Sequence, residues 1–144
     1  MSNLNIIIDA SILAKWFLSN EEESELALKI RDDFTANRVS ISFPSLVFYE
    51  VSNLLRSAVI RSRLDKEKAL KIYEDFLELD FEIYMTNDLL RNSLEIAMRN
   101  DISSYDASYV VLAEYLKAPL FTADQRLLTK AESRFVKSIE TYPS

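Results

Sequence analysis

Four carboxylates in this chain stand where a fold has little use for charge. Asp9 closes the run of three isoleucines in NIIIDAS, Glu50 lies in LVFYEVSNLL, Asp106 in SSYDASYVVLAE and Asp124 in LFTADQRLL. Most of the 23 Asp and Glu residues, such as Asp32, Glu74, Glu78, Glu95 and Glu140, sit among polar neighbours and read as solvated faces. Glu50 instead has Leu46, Val47 and Leu54 as its i−4, i−3 and i+4 helical neighbours. Asp106 heads a face continued by Tyr109, Val110, Ala113 and Leu116. An unpaired charge beside a buried surface is costly. Carboxylates gathered in one place also raise each other's pKa unless a cation joins them. Oxygen ligands with retained waters suit Mg²⁺ or Mn²⁺, and such an ion acting on a phosphate performs phosphodiester hydrolysis.

Composition removes the competing chemistries. The chain has no His and no Cys, which excludes zinc hydrolase motifs, Ser-His-Asp triads, thiol chemistry and disulfides. It has no Gly, so neither a P-loop nor a dinucleotide fingerprint is present. Carboxylates, hydroxyls, amides, Lys and Arg remain. The net charge of −6 argues against a broadly basic nucleic-acid surface, though not against a local basic patch beside bound metal. No basic stretch precedes a long apolar run, and no apolar run approaches ~18 residues, so no signal peptide or membrane span is expected and a cytoplasmic protein is. At 144 residues the chain is expected to form one domain, residues 1–144, burying about 68–70% of the surface its unfolded form exposes.

The elements that must position the acids alternate. Asn5 to Ile8 reads as a strand and Ala10 to Leu18 as a short helix. GluGluGluSer at 21–24 opens a helix reaching about Asn37, with its acids at the favoured end of the dipole. Val39 to Phe43 is a second strand, and Pro44 suits the first turn of the helix that follows, over 45–63, with apolar residues at a helical period. Asp65 caps a helix through Leu79, 81–85 is a third strand, and Asn87 to Asn100 is helical. Ser103-Ser104 begin a helix ending before Pro119. Leu120 to Thr122 is a fourth strand, Asp124 to Ala131 a short helix, and Phe135 to Ile139 a last strand. Strands alternating with helices define an α/β class, a parallel sheet covered on both faces.

That topology draws the acids together. Asp9 and Asp124 both follow their strands, at the carboxyl edge of a parallel sheet. The helix from Pro44 leaves the same edge with Glu50 less than two turns in. Only Lys117-Ala118-Pro119 separates the helix of Asp106 from strand four, so that helix runs antiparallel to the strand and returns Asp106 to this edge. Ligands of open α/β sheets bind there. Each acid also has an ordinary structural account. Asp9 and Asp124 suit helix N-caps, Asp106 a capping box with Ser103, and Glu50 a pairing with an arginine.

IIIDASILAKWF, the Glu of FYEVSNLL, SSYDASYVVLAE and LFTADQRLL together resemble the PIN-domain nucleases, most closely the VapC-type toxins of toxin–antitoxin pairs, over nearly the whole chain. The resemblance implies a three-layer α/β/α sandwich on a five-stranded parallel sheet of order 3-2-1-4-5. It implies Mg²⁺- or Mn²⁺-dependent endoribonuclease activity, a homodimer, and an antitoxin that blocks the cleft. Asp9, Glu50, Asp106 and Asp124 match the metal-binding acids, Ser11 the family's Ser/Thr, and Thr122 the polar residue two before the last acid. A glycine is common in the family shortly before the SSYDA segment; here Asn100-Asp101 takes that turn, where Asn tolerates the left-handed conformation.

Around these acids, Ser11 is placed to bond Asp9 or a metal water, or simply to cap. Lys15, one turn on, is a candidate phosphate contact. Arg56, Arg61 and Arg63, read as lying on the helix of Glu50, and Arg126 beside Asp124 are candidates for a basic rim along RNA, against the plainer account of dipole complementarity and solubility. Trp16, Phe17, Phe48 and Tyr49 read as core or dimer contact. The leading expectation is a metal-dependent endoribonuclease that attacks RNA in line with an activated water. A PIN scaffold kept as a binding module is the alternative. A haloacid-dehalogenase-type aspartyl-phosphate enzyme is a third reading, weakened because the second acid usual two residues after the first is Ser11 here.

Overall fold

Ile6, Ile7 and Ile8 are all wholly buried, and a strand buries consecutive side chains only when its sheet is covered on both faces. In the computed structural model, which describes residues 4–18 and 24–143, they belong to β1 (Leu4–Ile8). There follow α1 (Ala10–Phe17), α2 (Ser24–Thr35), β2 (Val39–Pro44), α3 (Val47–Ile60) and α4 (Lys66–Leu77). The second half runs β3 (Glu82–Tyr84), α5 (Asn87–Asn100), α6 (Ser104–Leu116), β4 (Leu120–Thr122), α7 (Gln125–Lys130), β5 (Val136–Ser138) and a 3-10 turn at Ile139–Thr141.

All four strand pairings are parallel, in the order β3-β2-β1-β4-β5. One helical layer links α1 with α2 and α3, and α3 with α4. In the other, α5 packs on α6, which lies against β1, β2 and β4. This is the three-layer α/β/α sandwich and the strand order that the resemblance implied. The opening GluGluGlu of the second expected helix, residues 21–23, lies outside the described residues.

Aromatic rings fill the space between β2, β3 and α4. Phe43 meets Phe81 edge-on at 4.9 Å between centroids, and Phe76 lies 5.3 Å from Phe81. Trp16 is buried and donates its indole N–H to the Ala27 carbonyl at 2.8 Å. Phe17 and Phe48 pack on Phe76, whereas Tyr49 is 80% exposed and is not part of the core. One charge is buried well away from the four acids. Asp33 takes Lys29 at 2.7 Å, Arg38 at 3.1 Å and the Tyr142 hydroxyl at 2.6 Å. Led by the Lys29 and Tyr142 hydrogen bonds, these partners hold its carboxyl down at about 2.

Several boundaries differ from expectation. Pro44 ends β2 opposite Tyr84 rather than opening the next helix, and α3 begins at Val47. α3 stops at Ile60, because Ser62 turns left-handed at φ 59°. Arg61 is therefore its C-cap and Arg63 lies beyond it, so only Arg56 shares the helix of Glu50. At the turn after α5 the left-handed residue is Asp101, at φ 54°, not Asn100. Asn100 stays helical and buried, its side-chain oxygen accepting the Glu132 N–H at 3.0 Å.

A chain without glycine must end helices on residues that carry a Cβ. Asn37, Ser62, Asp101 and Lys117 all hold φ between 52° and 60°. The left-handed region disfavours a Cβ by roughly 1–2 kcal/mol, partly offset because glycine loses more freedom on folding. Lys117 is the exposed C-cap of α6. Lys117→Gly is predicted to stabilise the fold by up to about 1 kcal/mol, a rise of roughly 2–4 °C in thermal midpoint for a chain of this size. A lower midpoint would contradict this account of the turn.

Candidate active site

β1 delivers Asp9 to the carboxyl edge of the sheet, where it caps α1. Its Oδ1 accepts the Ser11 N–H at 3.1 Å and the Ser11 hydroxyl at 2.5 Å. Its Oδ2 accepts the hydroxyl of Thr122, the last residue of neighbouring β4, at 2.5 Å. Both hydroxyls spend their single proton on Asp9 and use lone pairs elsewhere. Ser11 Oγ accepts the Ala123 N–H at 3.1 Å, and Thr122 Oγ1 accepts the Asp124 N–H at 3.0 Å. The ends of β1 and β4 are thereby stitched together around one buried carboxylate.

The other acids arrive from three further elements. Asp124 caps α7, its Oδ1 accepting the Arg126 and Leu127 N–H groups at 2.9 and 3.3 Å. Asp106 sits in the first turn of α6, its backbone N–H held by the Ser103 hydroxyl at 3.0 Å. Glu50 projects from the first turn of α3, and its Oε1 accepts the Tyr109 hydroxyl at 2.6 Å. The capping accounts of Asp9 and Asp124 are thus real, and they coexist with convergence. Glu50 is held by a tyrosine rather than by an arginine.

The four charges act on one another. Burial pushes Asp9 up to about 6 in spite of the hydrogen bonds from Ser11 and Thr122, and the charge of Asp106 adds to the rise. Glu50 is raised by burial and by the charges of Asp9 and Asp106, against the Tyr109 bond. Asp106 is raised by burial and by Asp124, with Ser103 and Arg126 pulling the other way. Each acid is linked to at least one other, and the donor set is hard oxygen throughout. Among the described residues, however, no three such side chains close on a common point as a finished protein cage would. Coulombic coupling reaches further than coordination. The donor chemistry alone is compatible with a hard divalent cation.

The basic candidates divide. Arg126, exposed in the first turn of α7, lowers the pKa of Asp106 and so stands at the rim of the acids. Lys15 lies on α1, one turn beyond Ser11. Arg56 instead lines a cavity of about 390 Å³ between α3 and α4, with Val59, Lys66, Leu70 and Tyr73. It is six residues from Glu50, about 240° around the helix. Arg61 is the C-cap of α3 and Arg63 lies beyond it. The larger described cavities likewise avoid the acids; one of about 730 Å³ runs along α5 and α6. Tyr109 was legible only as part of an apolar face, although its hydroxyl is the one polar atom among 109, 110, 113 and 116.

The PIN domain family matches residues 6–133, a span that includes all four acids. The chain belongs to the PIN domain family. It is similar to Ribonuclease VapC9 of Mycobacterium tuberculosis, with 33% identity over 122 residues covering 85% of this chain and 87% of that protein. A crystal structure from Pyrobaculum aerophilum superposes with a TM-score of 0.68 at 25% identity, covering 97% of this chain and 94% of the other. A toxin–antitoxin complex from Klebsiella pneumoniae shares the fold, with a TM-score of 0.58 at 16% identity over 93% of this chain and 97% of its own.

An aspartate whose folded pKa is raised destabilises the fold where it is charged. The penalty is absent below the unfolded value near 3.8, grows as pH rises, and is complete above about 6. In chelator, Asp9→Asn is predicted to raise stability at pH 7.5 by roughly 1–3 kcal/mol, with the gain shrinking from pH 6 and gone near pH 4. Urea melts across this range measure it. A loss at pH 7.5, or a gain unchanged at pH 4, would contradict the assignment.

Proposed function

We propose that the chain is a metal-dependent endoribonuclease and the toxin of a toxin–antitoxin pair. The observation that carries this reading is that Asp9, Glu50 and Asp106, each from a separate element, are coupled by charge, with Asp124 acting in turn on Asp106. The ribonuclease among its relatives supports RNA as substrate, and the toxin–antitoxin complex that shares its fold supports an antitoxin as partner. Asp9, Glu50, Asp106 and Asp124 would hold Mg²⁺ or Mn²⁺. A bound ion would supply Lewis acidity toward a phosphate and toward its attacking water.

The rest is the work of the chain's own side chains. Ser11 and Thr122 fix Asp9 from both sides, keeping its carboxylate in one orientation beside the core. Asp106, in the first turn of α6, and Asp124, capping α7, add their charges beside it, the second acting on the first. Arg126, and Lys15 on α1, would meet the negative backbone of the polymer, which an acidic protein needs to do locally. A phosphodiester within a long strand calls for an edge rather than an enclosing pocket, consistent with the larger described cavities lying elsewhere. The protein acts as a single domain in the cytoplasm and as a homodimer on this reading. No helix among the described residues is long and apolar enough to cross a membrane.

A second reading keeps the scaffold as a binding module, and the lack of three acids closing on a point is what favours it. Structured RNA incubated with inhibitor-free protein separates the two. Cleavage should appear with Mn²⁺ or Mg²⁺, stop with chelator, and fall by at least about 100-fold in Asp106→Asn with the fold intact. Full activity in that variant would remove the mechanism, and no metal-dependent cleavage by wild type would leave the binding module.

A further inference from the structure

Three of the four acids are held by local structure, and Glu50 is not. Asp9 and Asp124 are fixed by capping bonds, and Asp106 is set by the Ser103-capped first turn of α6. Glu50 has the longest side chain of the four, with an additional torsion to restrain, and it caps nothing. Its described hydrogen bond comes from far away in sequence. Tyr109 is 1% exposed, and its hydroxyl crosses 59 positions to reach Glu50 Oε1 at 2.6 Å. Tyr109 lies one turn behind Asp106 on α6, in the layer of α5, while Glu50 belongs to the layer of α1, α3 and α4. This bond therefore joins the two helical layers at the edge where the acids meet.

We infer that Tyr109 is a positioning residue for the metal site, holding one oxygen of Glu50 by a neutral hydroxyl and leaving Oε2 for a divalent cation. The chemistry of the donor explains why it is a tyrosine. A lysine or arginine in its place would orient Glu50 equally well but would neutralise the charge that attracts the ion. A buried hydroxyl on a rigid ring fixes the geometry and leaves the charge in place. The aromatic ring meanwhile packs in the core, so the hydroxyl can be removed without removing the packing.

The inference rests on the reading of the four acids as a metal site, and the test separates the two. Mn²⁺ affinity is measured by calorimetry for wild type, Tyr109→Phe, Glu50→Ala and the double variant, with the metal-free thermal midpoint of each as a check on folding. Tyr109→Phe should weaken Mn²⁺ binding about tenfold or more, and lower kcat for RNA with little change in KM. In the Glu50→Ala background it should have no further effect, because its action runs through that carboxylate. Glu50→Asp, which keeps the charge but withdraws it from Tyr109, should lose affinity comparably and provides a second route if Tyr109→Phe folds poorly. Wild-type affinity in Tyr109→Phe, or the same loss with and without Glu50, would overturn the positioning role alone. A wild-type protein that takes up no Mn²⁺ would overturn the metal site and this role with it.

Discussion

The structure turns on a carboxylate kept charged at the margin of a hydrophobic core. Asp9 is 6% exposed and follows three fully buried isoleucines, so burial works against its charge. Ser11 and Thr122 partly offset that penalty with the only protons their hydroxyls have, and the charge of Asp106 aggravates it. A fold meant only to be stable would replace such an arrangement with apolar side chains. Its persistence is intelligible if a cation completes it.

The parallel sheet is what makes the arrangement possible. Every strand of such a sheet ends on the same side, so the neighbouring strands β1 and β4 bring Asp9 and Asp124 to one edge. Return helices do the remainder, since α3 departs from that edge and α6 comes back to it. Two hydroxyls and one tyrosine then convert this coarse placement into defined orientations. The Tyr109 bond and the Ser11–Asp9–Thr122 chain are both long in sequence, spanning 59 and more than 110 positions, so the site forms only when the whole domain has folded.

Much of this was legible in the residues. The four acids stand out because their neighbours are apolar, and topology alone returns them to one edge. Strand four and the helix from Asn87 are marked by sharp local signals, and their expected bounds coincide with β4 and α5. What escaped depended on partners remote in sequence. Asp33 looks like any polar helix residue until Tyr142 and Arg38 are folded onto it. Tyr109 counts as apolar in a helical pattern, and its hydroxyl acquires meaning only opposite Glu50. The helical pattern runs on through Arg61 and Arg63 because nothing local announces the left-handed turn at Ser62, and no glycine marks it. The same missing signal moved the turn after α5 from Asp101 to Asn100.

The most direct measurement is the thermal midpoint of wild type and Asp9→Asn, taken in chelator and then in excess Mn²⁺. Ligand that binds only the folded state stabilises it by about 2.7 kcal/mol at a hundredfold excess over the dissociation constant. A clear rise in wild type that Asp9→Asn loses is the predicted result. Equal midpoints with and without Mn²⁺ in wild type would contradict the claim that these four acids hold a metal.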